Sequence, residues 1–223
     1  MSVAENIQHF VEKEIPEQVK LVAVTKTKPV ETILDAYNAG YRVFGENKAQ
    51  ELTQKYEQLP KNIEWHMIGH LQSNKVKYIA PFVAMIHGVD KFKLLKVINK
   101  EGRKNNRKID CLLQFHIATE ETKFGLDLEE AKDFLTSSEY TDLEYVNVKG
   151  VMGMATFTEN TDLIRSEFKE LVYIFNELKK HFFHSKEDFC EISMGMSNDY
   201  KIAIEEGATI IRIGSLLFGP RNY

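Results

Sequence analysis

Short runs rich in Val, Ile and Phe recur along the chain, and stretches with helical apolar spacing separate them. Eight runs predict strands over residues 21–25, 41–44, 64–68, 83–87, 110–117, 146–152, 189–193 and 209–213. The intervening spacing predicts helices over 30–38, 47–59, 73–79, 91–102, 127–137, 162–181 and 198–206. Leu163, Phe168, Leu171, Val172, Phe175 and Leu178 give the clearest amphipathic face. Pro29 suits the start of the first of these helices, and Gly40 suits its C-terminal cap. The N-terminal segment predicts one further helix before the first strand.

Strand alternating with helix implies parallel pairing through right-handed crossovers. Eight such units predict an α/β fold, a closed (β/α)8 TIM barrel with an extra N-terminal helix. A doubly wound open sheet is the alternative, but eight strands and the absence of a G-x-G-x-x-G turn count against it. No linker or low-complexity tract divides residues 1–223, so a single domain is expected. The stretch 100–108 (KEGRKNNRK) reads as a solvated helix end and loop.

Composition narrows the functional classes. The 223 residues carry 29 Lys+Arg against 33 Asp+Glu, a formal net charge of −4. A mildly acidic chain argues against nucleic acid or an anionic membrane as partner, since phosphate neutralisation needs a basic surplus. No apolar run approaches the roughly 18 residues that suggest a membrane span. The N-terminus lacks the apolar block of an export signal, which makes a cytoplasmic protein the expectation. Cys111 and Cys190 lie in apolar segments and read as reduced core residues, without the spacing of a metal site.

In a barrel of this kind, chemistry collects where strands end and the following loops begin. The first strand runs into Lys26-Thr27-Lys28-Pro29. A lysine beside low-dielectric walls has its pKa lowered by desolvation, leaving neutral amine able to attack a carbonyl. The alternative is a lysine that snorkels from the barrel mouth to solvent. Strand alternation gives Lys26 and Lys28 the same parity and does not choose between them. Lys123, after the fifth strand, reads as a third candidate or a loop lysine. At the end of the second strand, Glu46 or Asn47 can cap the next helix. His66 reads as a satisfied core histidine, with a hydrogen-bonding group facing the lumen as the alternative.

The last two strands lead into Ser193-Met194-Gly195-Met196-Ser197-Asn198 and Arg212-Ile213-Gly214-Ser215. Small residues and exposed N–H groups at both turns suit an anion pocket, and these two loops are the habitual phosphate site of such barrels. Each serine taken alone suits a helix cap. Arg212 lies on an otherwise apolar strand, so its guanidinium needs an acceptor or a partner carboxylate inside the barrel. A reactive lysine, a phosphate cup and an inward arginine fit two ligand classes: a phosphosugar attacked by an aldolase lysine, or pyridoxal 5′-phosphate (PLP).

The blocks LVAVTKTKP (21–29), FGENKAQE (44–51), WHMIGHLQSNK (65–75), KFGL (123–126), VKGVMGMAT (148–156), SMGMSNDY (193–200) and RIGSLLFGPR (212–221) run in order across nearly the whole chain. In them the sequence resembles the pyridoxal phosphate homeostasis protein family, whose domain is similar to the N-terminal barrel of alanine racemases. The resemblance implies that Lys26 forms an aldimine with PLP and that Ser197, Gly214 and Ser215 hold its phosphate. It further implies that Arg212 faces the pyridine nitrogen and that Asn47 and Met152 line the cofactor. Ser215 stands where threonine is common, which keeps the hydroxyl. His70 stands where some relatives have proline.

A cation beside the ring nitrogen discourages its protonation and weakens the ring as an electron sink. Racemases of this fold complete their chemistry with a tyrosine from a second domain, and this chain ends shortly after the predicted barrel. The resemblance therefore implies a monomeric carrier or buffer in vitamin B6 homeostasis, without efficient catalysis. PLP-dependent apo-enzymes or amino acids would be its partners. A weak PLP-dependent amino-acid racemase is the alternative.

Overall fold

A computed structural model describes residues 2–120 and 124–219. The chain opens with α1 (Val3–His9), whose Ser2 and Glu5 cap each other's backbone N–H groups, and a π turn (Phe10–Glu14). Then follow β1 (Lys20–Val24), α2 (Val30–Asn38), β2 (Val43–Glu46), α3 (Ala49–Gln58) and β3 (Glu64–Met67). A 3-10 turn (Ser73–Lys75) leads into α4 (Val76–Ile79), β4 (Met85–Val89), α5 (Phe92–Lys104) and β5 (Ile109–Gln114). The second half holds α6 (Leu128–Leu135), α7 (Ser138–Thr141), β6 (Val146–Met152), α8 (Thr161–His181) and β7 (Glu191–Ser193). It ends with α9 (Tyr200–Glu205), β8 (Ile210–Ile213) and α10 (Ser215–Phe218).

The eight strands are parallel and close in sequence order, with Leu21 opposite Ile211 and Ala23 opposite Ile213 where β8 returns to β1. Closure bears out the barrel and excludes the open sheet. Strand boundaries move by a few residues: β2 begins at Val43, β4 at Met85, and β5 stops at Gln114. The predicted helix over 73–79 divides into the 3-10 turn and α4.

Alternation along the strands sorts side chains into two cores. Leu21, Ala23, Trp65, Met67, Ile211 and Ile213 face outward and pack under the helices, among them the buried Phe168, Leu171 and Leu178 of α8. Val22, Val24, Ile68, Met85, Leu112, Met152 and Ile210 face inward and fill the lumen. Buried polar side chains share the inward face, including His66, His87, Ser193 and Arg212. Cys111 is buried and its thiol is pushed up by desolvation. Cys190 is exposed, contrary to its expected place in the core, because β7 begins only at Glu191 and the preceding turn lies outside the sheet.

One irregularity shapes the wall. Between β5 and β6 the register passes from Cys111 opposite Val148 to Leu112 opposite Gly150, so Lys149 is an extra residue in β6. Gly150 takes φ 156°, and a Cβ there would lie 1.8 Å from the carbonyl oxygen of Glu191. Backbone strain and a clash with backbone act together at this position. Gly150→Ala is expected to cost about 3 kcal/mol of stability in denaturant unfolding, and a cost below about 1 kcal/mol would contradict the close approach.

Candidate functional site

The C-terminal ends of the strands surround a cavity of about 530 Å³. Lys26, Asn47, Ser197, Arg212, Gly214 and Ser215 all line it. Six of the seven residues predicted for the site thus come together from the ends of four strands. Met152, the seventh, is fully buried in the lumen cluster and is not among the residues lining the cavity. Met154, two residues further on, reaches the wall instead. Strand parity gives both methionines the inward side, and depth in the barrel separates them.

Lys26 follows β1 in a tight turn whose neighbours are clamped. Thr27 has φ 65°, a left-handed conformation that a β-branched residue adopts only under constraint. Its N–H donates to Glu51 Oε1 (2.7 Å). On the other side of Lys26, the Thr25 hydroxyl donates to Glu46 Oε1 (2.6 Å). Lys55 of α3 ties both together, donating to the Thr25 carbonyl (2.8 Å), Glu46 Oε1 (2.6 Å) and Glu51 Oε1 (2.7 Å). Burial pushes the Glu46 carboxyl up from its ordinary range, and Lys55 and the Thr25 hydroxyl pull it back. The expectation that Glu46 or Asn47 caps α3 is therefore corrected. The helix starts at Ala49 without a side-chain cap, Glu46 is the buried partner of Lys55, and Asn47 faces the cavity.

The structure separates the three candidate lysines. Lys28 Nζ donates to the carbonyls of Phe218 (2.8 Å) and Gly219 (3.4 Å), binding the β1 turn to the end of α10. Lys26 is half-buried at the cavity wall. Lys123 lies outside the described residues.

The loops after β7 and β8 meet where Gly214 N–H lies 3.4 Å from Ser197 Oγ. Gly195, in the first of them, takes φ 90° and would press a Cβ to 2.6 Å from that of Ala203, so the turn is built for glycine. The first N–H groups of α10 have no acceptor within the helix. Two serine hydroxyls and backbone N–H groups thus edge one part of the cavity.

Arg212 is buried on the inward face of β8. Nη1 donates to Ser193 Oγ (2.6 Å) and Nη2 to the Gly153 carbonyl (3.1 Å). Desolvation lowers its pKa to about 10, with Asp199 acting in the opposite direction, so it remains a cation at neutral pH. The acceptor inside the barrel is thus a hydroxyl and a carbonyl, neither of them charged.

Further wall residues carried no separable signal in the sequence. His70 lines the cavity, stacks on Phe124 (centroids 4.2 Å apart) and pairs with Asp90 (3.1 Å). Gln114, at the end of β5, donates to the Phe124 carbonyl (2.7 Å) and holds this flank in place. Among the described residues, no group of three or more His, Cys, Asp and Glu is placed to hold a metal ion, and no helix is long and apolar enough to cross a membrane.

Residues 1–222 match the family described as alanine racemase, N-terminal domain. A pyridoxal phosphate homeostasis protein of Aquifex aeolicus (strain VF5) is 43% identical over 206 residues, covering 92% of this chain and 88% of that one. Its counterpart in Haemophilus influenzae is 37% identical over 92% of this chain and 86% of its own length. Among solved structures, PipY of Synechococcus elongatus PCC7942 with PLP bound superimposes with TM-score 0.86 at 31% identity, covering 97% of this chain and all of that one. Alanine racemase from Bartonella henselae shares the fold at 16% identity and TM-score 0.70, covering 98% of this chain and 58% of that one. The chain belongs to the pyridoxal phosphate homeostasis protein family.

Removing the cation from the clamp leaves buried carboxylate without compensation. Lys55→Met is expected to destabilise the protein by about 3 kcal/mol in denaturant unfolding. A change below about 1 kcal/mol would show that something else holds the Lys26 turn.

Proposed function

We propose that this protein binds PLP in the cavity at the C-terminal end of the barrel and acts as an intracellular carrier or buffer of that cofactor. The observation that carries this reading is the convergence of Lys26, the Arg212 cation and the Ser197–Gly214–Ser215 edge on one cavity. Those groups match the cofactor's chemistry: an amine for an aldehyde, N–H and O–H donors for a phosphate, and a buried cation for a pyridine nitrogen. Val24, Ile68 and Met154 supply apolar wall for the ring. PLP bound to the relative from Synechococcus elongatus supports the same choice of ligand.

When bound, PLP supplies an aldehyde that condenses reversibly with primary amines and a ring that can draw electrons from the attached carbon. Lys26 presents the amine, held in place by the clamp around Thr25 and Thr27. Lys28, spent on two carbonyls, anchors α10. Ser197, Ser215 and the N–H of Gly214 would hold the phosphate, and Asn47 would line the ring. Met152 packs one layer below the site and supports Met154. Arg212 would place positive charge toward the pyridine nitrogen and disfavour its protonation.

That last feature favours holding over turnover, because an unprotonated ring stabilises a carbanion weakly. The described residues lining the cavity include no tyrosine to serve as a second base. The relatives' names, homeostasis proteins, support the same reading. Release would occur when another amine, an amino acid or the lysine of a PLP-dependent apo-enzyme, displaces Lys26. Residues 1–223 would act as one domain, as a monomer in the cytoplasm, where two free thiols persist reduced.

Adding PLP to the purified protein should produce a visible absorption band that Lys26→Ala abolishes while the circular dichroism spectrum stays unchanged. An undiminished band in Lys26→Ala would place the attachment elsewhere. In deuterated water, amino acids incubated with the loaded protein should show no sustained exchange of the α-proton; sustained turnover would favour the racemase reading.

A further inference from the structure

Beneath Arg212 a line of hydrogen-bonded side chains crosses the lumen to the opposite mouth of the barrel. Ser193 Oγ, which accepts from Arg212, lies 2.9 Å from His87 Nδ1. His87 Nε2 lies 2.8 Å from His66 Nδ1, and His66 Nε2 lies 3.0 Å from Glu64 Oε1. Glu64 sits at the first residue of β3 with its side chain 40% exposed, 3.3 Å from Lys20 Nζ at the start of β1. Every member between Glu64 and Arg212 is fully buried. The apolar lumen cluster fills the remaining space.

The direction of every bond follows from its lower end. Glu64, held down to about 2 chiefly by its bond from His66, is a carboxylate and can only accept. His66 must therefore carry its proton on Nε2. Burial lowers the pKa of both histidines, and Arg212 and Lys20 lower that of His87 further, while Glu64 and Glu191 act the other way on His66. Both rings are accordingly neutral. A neutral His66 with Nε2–H accepts at Nδ1, so His87 donates from Nε2 and accepts at Nδ1. The hydroxyl of Ser193 then donates to His87 and has its lone pairs left for Arg212. One carboxylate at the base thus selects both tautomers and the hydroxyl rotamer, and leaves a pure acceptor under the guanidinium. The opposite polarity would need a proton on Glu64 or a second proton on His66.

We propose that Glu64, His66, His87 and Ser193 are positioning residues, whose one-way hydrogen-bonded column fixes the angle and charge balance at which Arg212 meets the ring of the bound cofactor. The proposal rests on the PLP reading of the cavity. Arg212 spends one nitrogen on the column and one on the Gly153 carbonyl, so its plane is set from behind before any ligand arrives. Such a device is costly to bury and of no value to an apolar lumen, which the surrounding valines and methionines would fill equally well.

Two measurements test it. Nitrogen-15 spectra of histidine-labelled protein without added ligand should show His66 and His87 neutral, protonated at Nε2, at neutral pH. Protonation at Nδ1 in either ring would overturn the polarity. In the PLP-loaded protein, Ser193→Ala should weaken PLP binding about tenfold and move the pH midpoint of the visible band by about one unit. Ser193→Thr, which keeps a hydroxyl, should restore both. Glu64→Ala, at a half-exposed position, should abolish the single tautomer of His66 and move the same midpoint in the same direction by less. A band with unchanged affinity and midpoint in Ser193→Ala and Glu64→Ala would overturn the proposal while leaving the PLP reading intact. Absence of any PLP adduct in the unaltered protein would remove that reading and the proposal together.

Discussion

A guanidinium inside a closed parallel barrel is the constraint on which the rest of this structure depends. Moving an ion of that size out of water costs several kcal/mol after relaxation, and the charge of Asp199 offsets only part of it. Its two terminal nitrogens meet Ser193 Oγ and the Gly153 carbonyl instead. Those acceptors satisfy its hydrogen bonds without neutralising its charge. The cation therefore remains available to the cavity above it, which is where an electron-rich ring nitrogen would lie.

The barrel makes this arrangement affordable because its two faces do different work. The outer face of the sheet and the helices form one continuous apolar core, from Ile7 to Phe218, that carries the stability of the fold. The lumen is released from that duty and can hold a polar column among valines and methionines. Above it, the clamp of Lys55, Glu46 and Glu51 holds Lys26 in a turn that contains a strained threonine. Two rigid supports, one from below and one from the side, thus present a cation and an amine to the same space.

Much of this was legible in the sequence, and the illegible parts share a cause. Eight apolar runs alternating with amphipathic stretches are local patterns, so element type and order could be read directly. The placing of Lys26, Ser197, Arg212, Gly214 and Ser215 followed from strand ends, which are also local. Nothing local marks Lys55 of α3 as a clamp, because its partners Thr25 and Glu46 are brought to it from the ends of β1 and β2. His87 and Ser193 stand 106 residues apart, and no spacing rule brings them within a hydrogen bond. Met152, which the family resemblance puts beside the cofactor, lies in the buried lumen cluster and not among the residues lining the cavity, a difference of depth that strand parity does not show. Cys190 misled in the same manner: an apolar neighbourhood in sequence ended in an exposed turn before β7.

Holding a reactive aldehyde safely requires a tight site with an exit by exchange, and the same groups serve both needs. The most direct test of this account is a crystal structure of the protein grown with PLP. The account predicts density continuous with Lys26 Nζ, phosphate between the loops carrying Ser197 and Gly214, and the ring nitrogen facing Arg212. Ligand density elsewhere, or a ring turned with its nitrogen away from Arg212, would contradict it.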